Sequence, residues 1–466
     1  MNVEPEEHRD VIIGVVVTDR AASMRRLLAS LVPIDSDPNV HVVVLDNGTQ
    51  PSEIPQLIAA AEERARGRRR CVRSEGSRAP LHEGRVQLSR CIANLTMKWA
   101  LRDPVVWMVD DDLTFERFRL VDGHLDRENV AFRRIEQIRV LAVRDRCDLL
   151  VSGVTGDAPV RPNSVISRQL RDLTAELDRL AGADPNAQYR QARVDPRQYR
   201  GDYYYSHSEE RASQWRNPYP WLVRPGAGPT VADQLAQMLE DARGIKFGRG
   251  VFRPLIEEHN SDKLDVVDSM APNRGGNAIF FGVECLLAHR YPAFPVGDGY
   301  SRRSDMIGST ILAREQGYRV AEGNLSLCHD RRNQNAISAH PREWKREFAG
   351  VMFARMVMHG LPPGVSAHQH LKSIAKIRAQ RIYDDATLVR EEAQRALSKL
   401  DQQTACWWRV SKCRSLARAL RASLLRIYRT FERAHRERVF DALVGGDWLR
   451  DVLSAYTNLQ ASRSVS

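Results

Sequence analysis

Val11–Val17 is an apolar, β-branched run, the pattern of a strand buried on both faces. Met24, Leu27, Leu28 and Leu31 recur at i, i+3, i+4 and i+7 and predict a helix, with Ser23 placed to cap it. His41–Leu45 reads as a second buried strand, running into the turn sequence Asp46-Asn47-Gly48. Ile54, Leu57, Ile58 and Ala61 form another helical stripe, followed by a basic stretch from Arg64 to Arg70. Gly84–Leu101 predicts a helix, and Val105–Val109 a strand that runs into Asp110-Asp111-Asp112. A helix around Val130–Val143 and a strand at Leu149–Val151 follow. This alternation implies right-handed βαβ units and an α/β fold with a mainly parallel central sheet flanked by helices.

Residues 156–265 break the rhythm. They hold most of the Pro-, Tyr- and Asn-rich segments, including Tyr203-Tyr204-Tyr205 and Trp215 to Trp221, and read as an insertion or acceptor subdomain. Those aromatics either stack on an acceptor or form a small core. The α/β pattern resumes with Gly276–Phe281 as a strand, a helix from about Asp305 to Gln316, and short strands to Cys328. Past Pro341 the chain reads as helical. The expected organisation is one α/β domain over 1–340, interrupted by 156–265, and a basic helical C-terminal region over 341–466.

With 466 residues, 42% apolar and 28% charged, the chain is long enough for more than one core and is globular in composition. A formal net charge of +11 predicts an acidic partner: a sugar nucleotide, anionic lipid headgroups or nucleic acid. Seven cysteines without a CxxC pair predict reduced thiols, not a disulfide framework or a zinc knuckle. The acidic start MNVEPEEHRD is unlike a signal peptide, and no window nears the roughly 18 apolar residues of a membrane span, so a cytoplasmic protein is expected. Between Ala405 and Phe440, ten Lys or Arg face two acids. There Leu416, Leu420, Leu424, Ile427 and Phe431 keep helical spacing, with Arg414, Arg418, Arg421 and Arg429 interleaved. Such a helix either lies on an anionic membrane surface or packs its apolar stripe on the protein and exposes its arginines.

The three aspartates end an apolar strand, at the edge where open α/β sheets bind ligands. On an extended backbone Asp110 and Asp112 share a side while Asp111 points elsewhere. Close carboxylates repel unless a cation separates them, and a divalent ion such as Mg²⁺ or Mn²⁺ bridging to a diphosphate meets that need. A solvated acidic turn is the alternative. No GxGxxG turn follows the first strand and no GK[ST] loop occurs, which excludes dinucleotide-dependent oxidoreductases and P-loop nucleotidases.

VIIGVVVTDR, VHVVVLDNGT, the Arg90–Ala100 helix, VVWMVDDD, GGNAIFF, SDMIGSTILAREQGYRV and LCHD follow one another in an order that resembles the family 2-type, inverting glycosyltransferases of the GT-A fold. The similarity covers about residues 11–330, apart from the insertion. Two departures stand out: Arg90 and Asn94 are a turn apart rather than adjacent, and Ser304-Asp305 replaces two adjacent acids.

That resemblance implies a nucleotide-sugar-binding domain that moves a sugar from a UDP- or GDP-linked donor to an acceptor hydroxyl. The acceptor is left open among a glycan, a lipid-linked molecule, a small molecule and a nucleic acid. It assigns Thr18 and Asp46 to the base and ribose, and Arg90, Asn94, Asp110, Gly276 and Asn277 to donor contacts. Asp110, Asp112 and His329 become the ligands of Mn²⁺ or Mg²⁺, imidazole favouring Mn²⁺. Asp305 becomes the base, with Asp298 in reserve and a helix cap as its other reading. Gly275 and Gly276 either let the backbone approach the sugar or acceptor or form a tight bulge, and Arg331 and Arg332 either neutralise the leaving diphosphate or are exposed surface arginines. Two rivals remain. A sugar-phosphate nucleotidyltransferase shares the sheet type but carries a Gly-rich basic loop after strand one, absent here. A non-enzymatic nucleic-acid-binding protein using the basic tail leaves the three aspartates unexplained.

Overall fold

A computed structural model describes residues 9–49, 51–75, 79–121, 124–144, 147–156, 162–185, 188, 230–245, 264–270, 276–330, 341–438, 441 and 444–464. Its strands are β1 (Val11–Val17), β2 (Val40–Asp46), β3 (Arg69–Arg73), β4 (Val105–Asp110), β5 (Leu113–Thr114), β6 (Glu116–Val121), β7 (His124–Asn129), β8 (Leu149–Gly156), β9 (Val266–Asp268), β10 (Asn277–Phe281), β11 (Pro295–Val296), β12 (Gly299–Tyr300) and β13 (Val320–His329). Nine of them form one sheet in the order β3-β2-β1-β4-β10-β8-β13-β5, with β9 beside β13. Strands β1, β2, β3, β4, β8 and β13 run one way, and β10, β5 and β9 run against them. The expected α/β class, a mainly parallel sheet flanked by helices, is therefore observed.

The apolar run of β1 is buried along its whole length. Alternation sends Val11, Ile13, Val15 and Val17 to one layer, with helices Ala21–Leu31, Ile54–Glu62 and Ala131–Arg144. Ile12 and Val16 face the other, with helices Leu81–Lys98, Val283–Ala288 and Ser304–Glu315. Each fully buried Val, Ile or Leu contributes roughly 1.5–3 kcal/mol, so a strand covered on both faces is strongly held.

The antiparallel β10 lies at the centre and is pinned by its first residue. Asn277, wholly buried, accepts from Trp107 Nε1 (2.7 Å) and donates to the carbonyls of Gly153 (2.8 Å) and Leu325 (3.1 Å). One amide thus ties β10 to β4, β8 and β13.

Two further cores complete the chain. Helices Pro162–Ala181 and Val231–Ile245, from within the insertion, share a core with Ala386–Leu400, Trp407 and the Ser411–Arg436 helix. The Ala367–Leu400 helix, 34 residues and so about 51 Å long, carries its other end into a third core. There Leu371, Ala375 and Ile382 join the helices Pro341–His359 and Trp448–Ser464, and also Met306 and Ile307 of the Ser304–Glu315 helix. The C-terminal region thereby buttresses the helix that bears Asp305. A backbone bond from Arg302 N to Arg346 O (3.3 Å) adds to that brace.

Several expectations need correction. Ser23 does not cap its helix; it lies inside the first turn, buried, and its Oγ accepts from Arg26 (3.2 Å). The basic stretch before Arg70 runs into strand β3, because buried Arg69 finds acceptors in Val40 O (2.6 Å) and Asp35 (3.2 Å). The charged hairpin β6–β7 was not expected; it is held by Arg–Glu and Arg–Asp pairs that form only when the two strands meet. The short strands before Cys328 are one strand, β13. Leu420, Leu424 and Ile427 are fully buried in a protein core, so the C-terminal helix keeps no apolar stripe for a membrane surface. Among the described residues no helix is long and apolar enough to cross a membrane. All seven cysteines are free thiols, as expected.

Replacing Asn277 with Leu leaves Trp107 Nε1 and two carbonyls buried without partners, and should cost about 3–5 kcal/mol. The urea midpoint should fall with the slope unchanged. Leu424→Ala should cost about 2–5 kcal/mol in the same assay, as expected for a packed core position and not for a solvated one.

Candidate functional site

Parallel β1, β2, β4, β8 and β13 end at one edge of the sheet, and antiparallel β10 begins there. Val17 pairs with Asp46 and Val16 with Asp110, so two of the predicted carboxylates emerge on strands flanking β1. Asp46 is 3% exposed; its Oδ1 accepts from Gly48 N (3.1 Å), while Oδ2 is buried without a partner among the described residues. Thr18 stands beside it and accepts from Asn47 Nδ2 (3.3 Å).

The three consecutive aspartates do not alternate as expected. Strand β4 stops at Asp110, and the chain turns at Asp111 and Asp112, so the twofold rule lapses. Asp111 accepts from Arg20 Nη1 (2.9 Å), which also stands 3.9 Å from Asp112 Oδ2. Burial pushes the Asp111 carboxyl up to about 7, against the pull of Arg20 and with help from the neighbouring Asp112 and Asp110 charges. Short strand β5 then pairs with the end of β13, Leu113 opposite His329. This register brings His329 Nε2 to 3.1 Å from Asp112 Oδ2, both side chains being buried.

Asp110 turns the other way. It bonds Arg85, which is also ion-paired with Asp305 at the head of the Ser304–Glu315 helix. The trio Asp110, Asp112 and His329 is therefore not gathered as one ligand set. No group of three His, Cys, Asp or Glu side chains among the described residues is arranged to hold an ion. Asp112 and His329 alone fit as a pair: two donors each about 2.1 Å from one ion, at right angles, are about 3 Å apart.

Gly276 meets Asp110 closely. Asp110 N donates to Gly276 O (3.0 Å), and the glycine has φ +93°. A Cβ there would fall on Asp110 Oδ2, so both conformation and space require glycine.

Between Asp110 and Asp305 lies a small cleft lined by Arg85, Gly276, His289, Tyr291 and Ser309 among others. His289 Nε2 lies 3.2 Å from both Asp305 O and Ser309 Oγ; facing a carbonyl, that nitrogen carries the proton. Burial, reinforced by the Arg85 charge, drops its pKa to about 3, so the ring is neutral. Burial also pushes the Tyr291 hydroxyl up to about 12.

The remaining predicted residues divide. Asp305 makes no capping bond; its carboxylate faces Arg85 instead. Asp298 is a turn residue paired with Arg346 (3.2 Å). Asn277 cannot serve a sugar hydroxyl, since both its donors and its carbonyl are committed inside the sheet. Arg90 and Asn94 are exposed and do not line the cleft. The arginine that lines it is Arg85, one turn and more earlier. Its sequence signal is that it stands at i to Leu88, Ser89 and Ile92 at i+3, i+4 and i+7, all buried. A cation on a buried stripe demands a carboxylate partner. His289, Tyr291 and Ser309 gave no such signal. Gly275, Arg331, Arg332, Tyr203, Tyr204, Tyr205, Trp215 and Trp221 lie outside the described residues.

No protein-family model matches the chain, and no curated protein matches it in sequence. Among solved structures it is similar to the mannosyltransferase PcManGT from Pyrobaculum calidifontis in complex with GDP-Man and Mn²⁺, at 12% identity and TM-score 0.37 over 96% of this chain and 90% of that one. S. aureus TarS 1–349 is similar at 11% identity and TM-score 0.32 over 92% and 91%. A mycobacterial protein is similar at 14% identity and TM-score 0.33 over 77% and 78%. At such identities and scores the likeness carries no argument about this chain.

The buried His289 gives the site a pH signature. Its folded pKa of about 3 lies below the ordinary 6.5, so between those values the unfolded chain takes up a proton that the folded chain refuses. Its share of stability is complete above the unfolded value and declines as pH falls, by up to about 1.4 kcal/mol per pH unit. In urea unfolding, the stability gap between the protein and His289→Gln should therefore shrink on going from neutral pH to about pH 4.5.

Proposed function

We propose that this chain is a nucleotide-sugar-dependent glycosyltransferase whose donor lies along the C-terminal edge of β1, β2 and β4. The observation that carries the reading is the convergence, at one sheet edge, of the Asp112–His329 pair and the Asp110–Arg85–Asp305 chain, with Asp46 beside them. Ligand binding outside the strand ends is the rule for open α/β sheets.

Thr18 and the unpartnered Oδ2 of Asp46 suit the hydroxyls and N–H groups of a nucleoside. Asp112 and His329 would hold a divalent cation, Mn²⁺ fitting the mixed oxygen and nitrogen donors better than Mg²⁺. When bound, that ion supplies Lewis-acid stabilisation of the charge on the departing diphosphate. Gly276 leaves the backbone open to the sugar. Asp305 takes the proton of the acceptor hydroxyl. The acceptor oxygen bonds the anomeric carbon, the bond from that carbon to the phosphate oxygen breaks, and its electron pair leaves with the nucleoside diphosphate. Attack opposite the leaving group inverts the anomeric centre.

Thermal unfolding with UDP or GDP, with and without Mn²⁺, tests the reading. Nucleotide and metal together should raise the melting temperature by about 5 °C or more at saturation, neither alone doing so. The rise should vanish in Asp112→Ala and persist in Asp305→Asn. Stabilisation by NAD(P), or by none of these nucleotides, would overturn it.

A further inference from the structure

Arg85 joins the two halves of the site. It is 8% exposed, yet its guanidinium hydrogen-bonds Asp110 through Nη2 and is ion-paired with Asp305 through Nη1. Its Cζ stands 5.5 Å over the Tyr291 ring, a cation–π contact that closes the third side. A charge so deeply placed is tolerable only if fully paired, and a forked guanidinium can serve two carboxylates at once.

Asp110 lies beyond Arg85, on β4. His289 and Ser309 bond the backbone carbonyl of Asp305 (3.2 and 2.8 Å), not its carboxylate, and His289 is neutral. Tyr291 packs against His289, with ring centroids 4.2 Å apart. On its own helix, Arg303 directs Nη1 at Met306 Sδ (4.0 Å). The first-turn N–H groups of that helix also favour a negative side chain.

We infer that Arg85 is the positioning residue of Asp305: it aims the carboxylate into the cleft, keeps it ionised, and couples it to Asp110 at the strand end. This rests on the reading of Asp305 as the base. A residue that must accept a proton at neutral pH has to be charged beforehand, and a guanidinium in contact is the strongest means of keeping it so. The same bridge fixes how far the helix head stands from the end of β4, and hence the width of the cleft.

The first test needs no substrate. The ¹³C-carboxyl resonance of Asp305, assigned by its absence in Asp305→Asn, is followed against pH in the full chain. Arg85→Gln should raise its midpoint by about one pH unit or more, and Arg85→Lys, which retains charge, by less. Asp110→Asn removes a competing carboxylate and should lower the midpoint; this variant decides the matter even if Arg85→Gln does not fold. An unchanged midpoint in Arg85→Gln, or a rise in Asp110→Asn, overturns the inference. If no nucleoside diphosphate binds, the proposed function fails while this titration still stands. If one does, its sugar donor supplies the second test. Arg85→Gln should move the acid limb of kcat upward by the same amount and leave the donor KM within about threefold. A raised KM with an unmoved limb would make Arg85 a donor ligand instead.

Discussion

Four carboxylates, Asp110, Asp111, Asp112 and Asp305, crowd one sheet edge, and the site depends on how their charge is balanced. Two guanidiniums do most of it. Arg20 serves the turn after β4, and Arg85 serves the strand end and the helix head. Asp111, buried and backed by two like charges, is left with its carboxyl raised toward neutrality. Asp112 stands between Arg20, at 3.9 Å, and the His329 imidazole, at 3.1 Å.

The fold keeps these groups together by long-range pairing. Antiparallel β10 stands between β4 and β8 and so brings Gly276 against Asp110. The β5–β13 register carries His329, 217 residues away in sequence, to Asp112. The third core packs Met306 and Ile307 against the C-terminal helices, which gives the basic C-terminal region a structural role: it seats the helix that presents Asp305.

Much of the sheet was legible in the chain. Val11–Val17 and Val105–Val109 are apolar at every position except Gly14, because strands covered on both faces have no polar side to show. Asp110 was legible as a candidate because an apolar strand delivers it to the ligand edge, whereas Asp46 and Asp305 were singled out through the family resemblance. Arg85 was missed although its place on a buried stripe marks it, while Arg90, chosen by resemblance, faces solvent. Strand β3 was not readable, since its buried Arg69 is satisfied by Val40 and Asp35 from an earlier part of the chain, and in hairpin β6–β7 the charges pair only with each other across the strands.

By itself, the sequence determined the α/β class and the strand ends that carry carboxylates, because periodicity and backbone sterics are local. The tertiary structure alone decided which carboxylate pairs with which cation, that Asn277 serves the sheet rather than a ligand, and that the amphipathic C-terminal helix buries its stripe in protein. Those outcomes depend on where a side chain ends in space relative to residues on other elements of the fold. Hydrogen bonds act only within a few ångströms and ion pairs are strong only in contact, so they are settled only when the chain has closed.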